Sequence, residues 1–253
     1  GGPLTWERDR AVAAWCLERR VAFHEQPQHG VIRRLGSRDG WAARWSRRMR
    51  ATEAADPREP GASVSIAFAR VAEPGHLEGP RRSGPRAVDA SSIQVAGERH
   101  ALQALDDFLR VPGRNYRSGM SSPVTAAREC SRLSPHLAWG SLSIRRAHQA
   151  ASARQAEVRD AGRRDGWAGS LSSFQSRLRW HCHFMQKLED EPTLESRCMN
   201  PAFEGLRDDY DVSHLEAWER GETGYPLVDA VMRCLRSTGW ATFRMRSMLV
   251  SFA

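Results

Sequence analysis

Over most of this chain, apolar residues recur three and four positions apart, the period of an amphipathic helix. The repeat is clearest after Gly97, where Ala101, Leu102, Leu105, Phe108 and Leu109 share one face. Further helices are predicted over 136–151, 171–188, 214–220 and 228–235, and Pro123, Pro192, Pro201 and Pro226 punctuate them, since proline cannot continue a helix. No segment repeats itself at a fixed period, which argues against stacked helix pairs and for a single packed helical domain over 98–253. Residues 1–50 read differently. A helical pattern over 10–20 is followed by the strand-like run Val21-Ala22-Phe23 and then by a second helical pattern reaching Met49, which reads as the end of an α/β domain. Between about 51 and 97, proline, glycine, serine, alanine and arginine crowd together without a period, as in 78–86, and this stretch reads as an interdomain linker.

With 253 residues and 40% hydrophobic content, the chain can bury a sizeable core. No apolar stretch is long enough to span a bilayer and no charged-then-apolar leader is visible, so a soluble cytoplasmic protein is the expectation. The chain opens on Gly1 and closes on an apolar run, 248–253, without a stop signal, so both ends are expected to be truncations. Five cysteines, widely spaced and never in a Cys-x-x-Cys arrangement, predict reduced thiols rather than a disulfide framework or a zinc site. The formal charge of +8 favours a polyanionic partner. Charge alone does not decide it, because Lys187 is the sole lysine and GC-rich coding accounts equally well for such an excess of arginine.

Three segments carry candidate chemistry. In 130–143, Ser134 reads as an N-cap with Pro135 at the first helical position, which would aim free backbone N–H groups at whatever lies before it. Ser131, Ser134 and Arg132 then suit a pyrophosphate, although an ordinary capped helix is the alternative. In 174–184, helical spacing brings Phe174, Arg177, Trp180 or His181, and Phe184 near one face, either lining a ligand cavity or simply burying a helix. His181, Cys182 and His183 do not suit a metal, because residues two apart leave a helix on different sides. In 215–246, Gly221 and Gly224 mark a tight connection, Pro226 starts a helix, and Asp229 stands in its first turn, where a carboxylate suits the helix dipole.

The string Ser-Arg-Leu-Ser-Pro-His-Leu at 131–137, followed by Gly-x-Leu-Ser at 140–143, resembles the flavin-phosphate segment of the DNA photolyase and cryptochrome family. The string Gly-x-Thr-Gly-Tyr-Pro-x-Val-Asp-Ala-x-Met-Arg at 221–233, continuing through Thr238-Gly239-Trp240 to Arg244-Met245-Arg246, is similar to that family's signature, and 30–45 resembles the last part of its antenna domain. The resemblance implies a mainly α fold: an all-helical FAD-binding domain over 98–253, truncated at its C-terminus, preceded by the C-terminal remnant of a Rossmann-like α/β antenna domain at 1–50 and a linker at 51–97. It also implies that Tyr116, Cys130, Ser131, Arg132, Leu133 and Ser134 approach the FAD phosphates. Phe174, Arg177 and His181 would lie on a helix lining the flavin, and Trp240, Thr242 and Arg246 would lie beside its ring system. Trp180 would pack against a lesion flipped out of DNA, with Arg177 beside it, and Arg244 would meet DNA phosphate.

There are departures from the family pattern. Arg177 stands where cyclobutane-dimer photolyases carry a lesion-binding carboxylate, Phe174 replaces a tryptophan, and Thr242 replaces an asparagine. The outermost electron-relay tryptophan would fall near Asp208, with Tyr210 a conceivable substitute, and no catalytic residue is assigned because the inner relay lies in family helices outside this sequence. The activity implied is blue-light-driven repair of pyrimidine dimers in UV-damaged DNA by an electron from reduced flavin. The family also uses a second antenna chromophore, a folate or a deazaflavin. The alternatives are a cryptochrome-like photoreceptor without repair and a non-catalytic, basic helical nucleic-acid-binding domain. A monomer with no membrane contact is expected.

Overall fold

A computed structural model of the chain describes residues 3–54, 93–206 and 211–253. Most of the linker reading (55–92) and the relay position at Asp208 with Tyr210 lie outside the described residues. The described residues form α-helices and short 3₁₀ turns and contain no strand. Helices α1 (Pro3–Glu18) and α2 (Trp41–Arg50) precede α3 (Glu98–Arg110), and the short helical turns α4 (Tyr116–Gly119), α5 (Ala126–Glu129) and α6 (Ser134–Ala138) lead to α7 (Ile144–Asp160) and α8 (Trp167–Asp190). Helices α9 (Val212–Arg220), α10 (Pro226–Thr238) and α11 (Phe243–Phe252) complete the described chain.

The longest element, α8, organises the packing. Trp167, Leu171, Phe174, Leu178, Cys182 and Gln186 recur every three or four residues and are buried along one stripe. Helix α7 packs along it, and its buried Ala147 and Ala151 let the two backbones approach. Phe108 of α3 and Tyr116 of α4 close the near end against Phe174, with ring centroids 4.8 Å (Phe108–Phe174) and 5.8 Å (Tyr116–Phe174) apart in tilted and edge-on arrangements. A second, smaller core joins α10 to α11 through Val228, Val231, Met232, Met245 and Leu249.

Two elements differ from the sequence reading. The single helix predicted over 136–151 is broken into α6 and α7: Gly140 takes a left-handed φ of 72°, and the Ser143 hydroxyl accepts from the Arg146 N–H at 3.0 Å to start α7 afresh. Among the described residues the run Val21-Ala22-Phe23 has no ladder partner and is not a strand, because extended backbone becomes a strand only beside a neighbour that takes its N–H and C=O groups. A little further on, side chains supply that role. The Gln186 amide accepts from the Ile32 N–H at 2.7 Å and donates to the Ile32 carbonyl at 2.9 Å, while the Gly30 N–H donates to Cys182 Sγ at 3.3 Å. Trp41, Trp45 and Met49 of α2 consequently share one buried cluster with α3, α7 and α8.

The connection into α10 is built on Asp229. Its carboxylate accepts from the Thr223 hydroxyl at 2.6 Å, the Thr223 N–H at 2.8 Å and the Gly224 N–H at 3.0 Å. The bond from the Thr223 hydroxyl, reinforced by the backbone donors and by nearby Arg233, holds the Asp229 carboxyl below the usual carboxylate range.

Two outcomes follow. Gln186→Leu keeps the volume but leaves the Ile32 N–H and C=O unpaired, and should lower unfolding stability by about 1–3 kcal/mol in a denaturant titration; an unchanged midpoint would show that the segment is held by packing alone. A carboxylate with a depressed folded pKa stabilises above its unfolded value and loses that contribution as pH falls through the folded one. The melting-temperature gap between wild type and Asp229→Asn should therefore be widest above the ordinary carboxylate range and close as pH falls below it; a gap that stays constant through that fall would assign the loss to shape rather than charge.

Candidate functional site

Four stretches of chain enclose one cavity of about 620 Å³, within the ~300–1000 Å³ of small-molecule and cofactor sites. Its walls are Tyr116, Met120 and Ser121 from α4 and the turn after it, the segment Cys130–Ser134 with Leu137, one side of α8, and the stretch from Trp240 to Ser247. Every residue singled out from the sequence for cofactor or DNA contact lines it: Tyr116, Cys130, Ser131, Arg132, Leu133 and Ser134; Phe174, Arg177, Trp180 and His181; and Trp240, Thr242, Arg244 and Arg246.

The wall at 130–134 is shaped by Arg132. Its φ of 52° puts a non-glycine residue in the left-handed region, a conformation that persists only where the surroundings fix it. Its guanidinium lies over the Trp240 ring at 4.7 Å, and its Nε is buried without a protein partner. Ser134 is not the N-cap: Leu133 occupies that place in helical geometry, no side chain caps α6, and the helix is only five residues long. A short turn of this kind has too few aligned peptides for a strong dipole, so any anion binding here rests on the Ser131 and Ser134 hydroxyls and the Arg132 charge.

On α8 the stripe next to the buried one faces the cavity, with Arg177, Trp180, His181 and Phe184. The Arg177 guanidinium stacks over the Trp180 ring at 4.5 Å. The His181 ring stands 5.6 Å from that of His29, its Nδ1 is buried without a protein partner, and burial holds its pKa below the ordinary histidine value. The neighbouring positions diverge: Cys182 is buried against Gly30, and His183 reaches Arg38 on the exposed side.

On the facing wall, the Thr242 hydroxyl accepts from the Met245 N–H at 3.2 Å and caps α11, so this buried side chain is committed to the start of the helix that carries Arg244 and Arg246. Phe243, one position on, stacks with Phe184 across the cavity mouth at 6.4 Å. Sequence reading passed over Phe243, Met120, Ser121, Met185 and Ser247. For Phe243 the signal was present, since it lies inside the string that ends at Arg246.

Among the described residues the lining carries four arginines and one histidine and no aspartate or glutamate. None of the four arginines is in an ion pair among the described residues; Arg132 and Arg177 are held against indole rings instead. Burial, with a push from the Glu129 charge, raises the Cys130 thiol to about 11, and burial raises the Tyr116 phenol further, so both groups are neutral at physiological pH. The cavity is thus a cationic, aromatic chamber with neutral hydroxyl and thiol donors, suited to a planar ligand carrying phosphate.

Comparison with known proteins agrees with this geometry. Residues 174–253 match the family model described as the FAD binding domain of DNA photolyase. The chain is 31% identical over 179 residues to a deoxyribodipyrimidine photo-lyase of Neurospora crassa, covering 69% of this chain and 28% of that protein. It is 33% identical over 159 residues to the one of Escherichia coli, covering 61% and 31%. Among solved structures, a bacterial class III photolyase from Agrobacterium tumefaciens superposes with a TM-score of 0.58 at 32% identity, over 64% of this chain and 32% of that one. A Synechocystis cryptochrome superposes with a TM-score of 0.54 at 28% identity, over 64% and 33%. The chain spans about a third of the length of these relatives. With its helical architecture and its cavity, the chain is similar to DNA photolyases and cryptochromes, and its residues 174–253 carry the match to the FAD binding domain of DNA photolyase.

Proposed function

We propose that this chain supplies the FAD-binding cavity of a blue-light-driven DNA photolyase acting on pyrimidine dimers in UV-damaged DNA. The observation that carries the reading is the convergence of fourteen residues, scattered from Tyr116 to Arg246, on one cavity whose described lining has no carboxylate. The residues present fit the cofactor: the buried Arg132 Nε and His181 Nδ1 lack protein partners, and both residues line the chamber. Ser131, Arg132 and Ser134 would hold the phosphates, and Phe174, Trp240 and Arg246 the ring system. When bound, reduced flavin supplies a light-excited electron donor, and the protein's share is binding, orientation and electrostatics.

The chain's own side chains account for that share. Phe174, Leu178 and Leu133 form a buried apolar inner wall, which keeps water from that side of the chamber. Arg246 and Arg132 favour an anionic ligand over a neutral one by charge. Trp180, 43% exposed at the mouth, offers a flat surface to an unstacked base.

A second reading keeps fold and cofactor and makes the protein a cryptochrome-like photoreceptor. Arg177 favours it: its guanidinium has donors only and cannot accept a hydrogen bond from a base beside Trp180.

The purified protein should be yellow and release FAD on denaturation, as read by chromatography; colourless protein would remove both readings. Arg132→Ala should weaken FAD binding by roughly ten- to a hundredfold, in line with loss of a charge-assisted contact. Illumination with an oligonucleotide bearing a cyclobutane dimer separates the two: light-dependent restoration establishes the photolyase, and a flavin-loaded protein that restores nothing shifts the assignment to the photoreceptor. Cys130, half-buried and with its thiol pushed up to about 11, should be alkylated more slowly than the exposed Cys198 at mildly alkaline pH, as read by peptide mass mapping, and FAD should slow it further.

A further inference from the structure

Two guanidinium–indole stacks stand in one cavity, Arg132 over Trp240 at 4.7 Å and Arg177 over Trp180 at 4.5 Å. Stacking holds a guanidinium by its face and leaves its in-plane N–H groups for a planar or tetrahedral acceptor such as phosphate. The cofactor proposed above carries two phosphates on one short linkage, so it occupies one stack, the one flanked by Ser131 and Ser134. The other is left without a counter-charge. Among the described residues Arg177 makes no ion pair, and no carboxylate lines the cavity.

The second stack also sits where a ligand can reach it from solvent. Trp180 is 43% exposed, and Phe184 and Phe243, 48% and 59% exposed, continue the aromatic surface at the mouth. An arginine donates and never accepts, so this position cannot read the N–H or amino edge of a base. What it recognises is an anion, held next to a surface on which a base can stack.

We propose that Arg177 on Trp180 is a second anion subsite that grips one backbone phosphate of a nucleic-acid strand whose base rests on the aromatic mouth. The inference rests on the proposed reading for the cavity's other occupant. It adds that affinity at the mouth depends on a phosphate rather than on the base edge.

The test compares the binding of a short oligothymidylate with that of the same oligomer whose central linkage is a neutral methylphosphonate, by fluorescence anisotropy at low salt. The unmodified protein should bind the neutralised oligomer about tenfold more weakly. Arg177→Gln should bind the charged oligomer about tenfold more weakly and then be indifferent to the neutral linkage, and its slope of log affinity against log salt should be shallower by about 0.7. Arg177→Lys should recover part of the affinity. Equal affinity of the unmodified protein for the two oligomers overturns the proposal without any variant being made, as does an Arg177→Gln protein that still discriminates tenfold. Flavin content is measured on the same samples. Colourless protein that discriminates between the oligomers sinks the flavin reading alone, and yellow protein that does not discriminate sinks the phosphate subsite alone.

Discussion

The period of one helix sets the geometry of both the core and the cavity. Along α8, the buried stripe from Trp167 to Gln186 advances by three or four residues per turn, and the stripe beside it, Arg177, Trp180, His181 and Phe184, is carried round by the same backbone. The cavity side chains therefore cannot move independently of the core. Leu171 and Cys182 are fully buried, and the dense packing around them locks the register in which Arg177 meets Trp180. A helix with a single apolar face would have fixed the fold and left the site to loops. Here the outer part of the site stands on a rigid element, whereas the 130–134 wall, the turn after α4 and the stretch before α11 are irregular, which makes the α8 wall the most exact of them.

Bringing four arginines to one chamber without acids sets a second constraint, since like charges repel unless something offsets them. Two devices do so. Arg132 and Arg177 lie over indole rings, where the ring quadrupole favours a cation, and Arg244 and Arg246 stay exposed to solvent. The arrangement leaves the lining with a net positive charge, and in the proposed reading a phosphate-bearing ligand supplies the counter-charge.

Much of this was legible in the sequence because it depends on local periodicity and on residue type. The inner face of α3 and the existence of α8 followed from apolar spacing, and the residues of the cavity were implied by the resemblance of short strings to the photolyase and cryptochrome family. The rest depends on partners distant in sequence. The helix expected over 136–151 is interrupted because the left-handed Gly140 and the Ser143 cap outweigh the apolar pattern, and Trp139 beside the break is 88% exposed. The strand reading at 21–23 failed for a related reason: β-branched and aromatic residues favour an extended backbone, yet whether that backbone pairs is decided by what lies beside it. No local signal announces that a glutamine at 186 will take both polar groups of Ile32, more than 150 residues away.

Arg132 joins these levels. A left-handed conformation costs a non-glycine residue about 1–2 kcal/mol, and a glycine there would remove that cost. Glycine would also remove the guanidinium, and with it the stack on Trp240 and the charge beside Ser131. The strained backbone directs the side chain back across the cavity to a ring contributed by the stretch before α11, so the turn after α5 and the smaller core are tied through a cation and an indole rather than through apolar contact. Held over the Trp240 ring, the guanidinium is an oriented donor for the phosphate of the proposed ligand, and the strain is better understood as the cost of that orientation than as a defect in the turn.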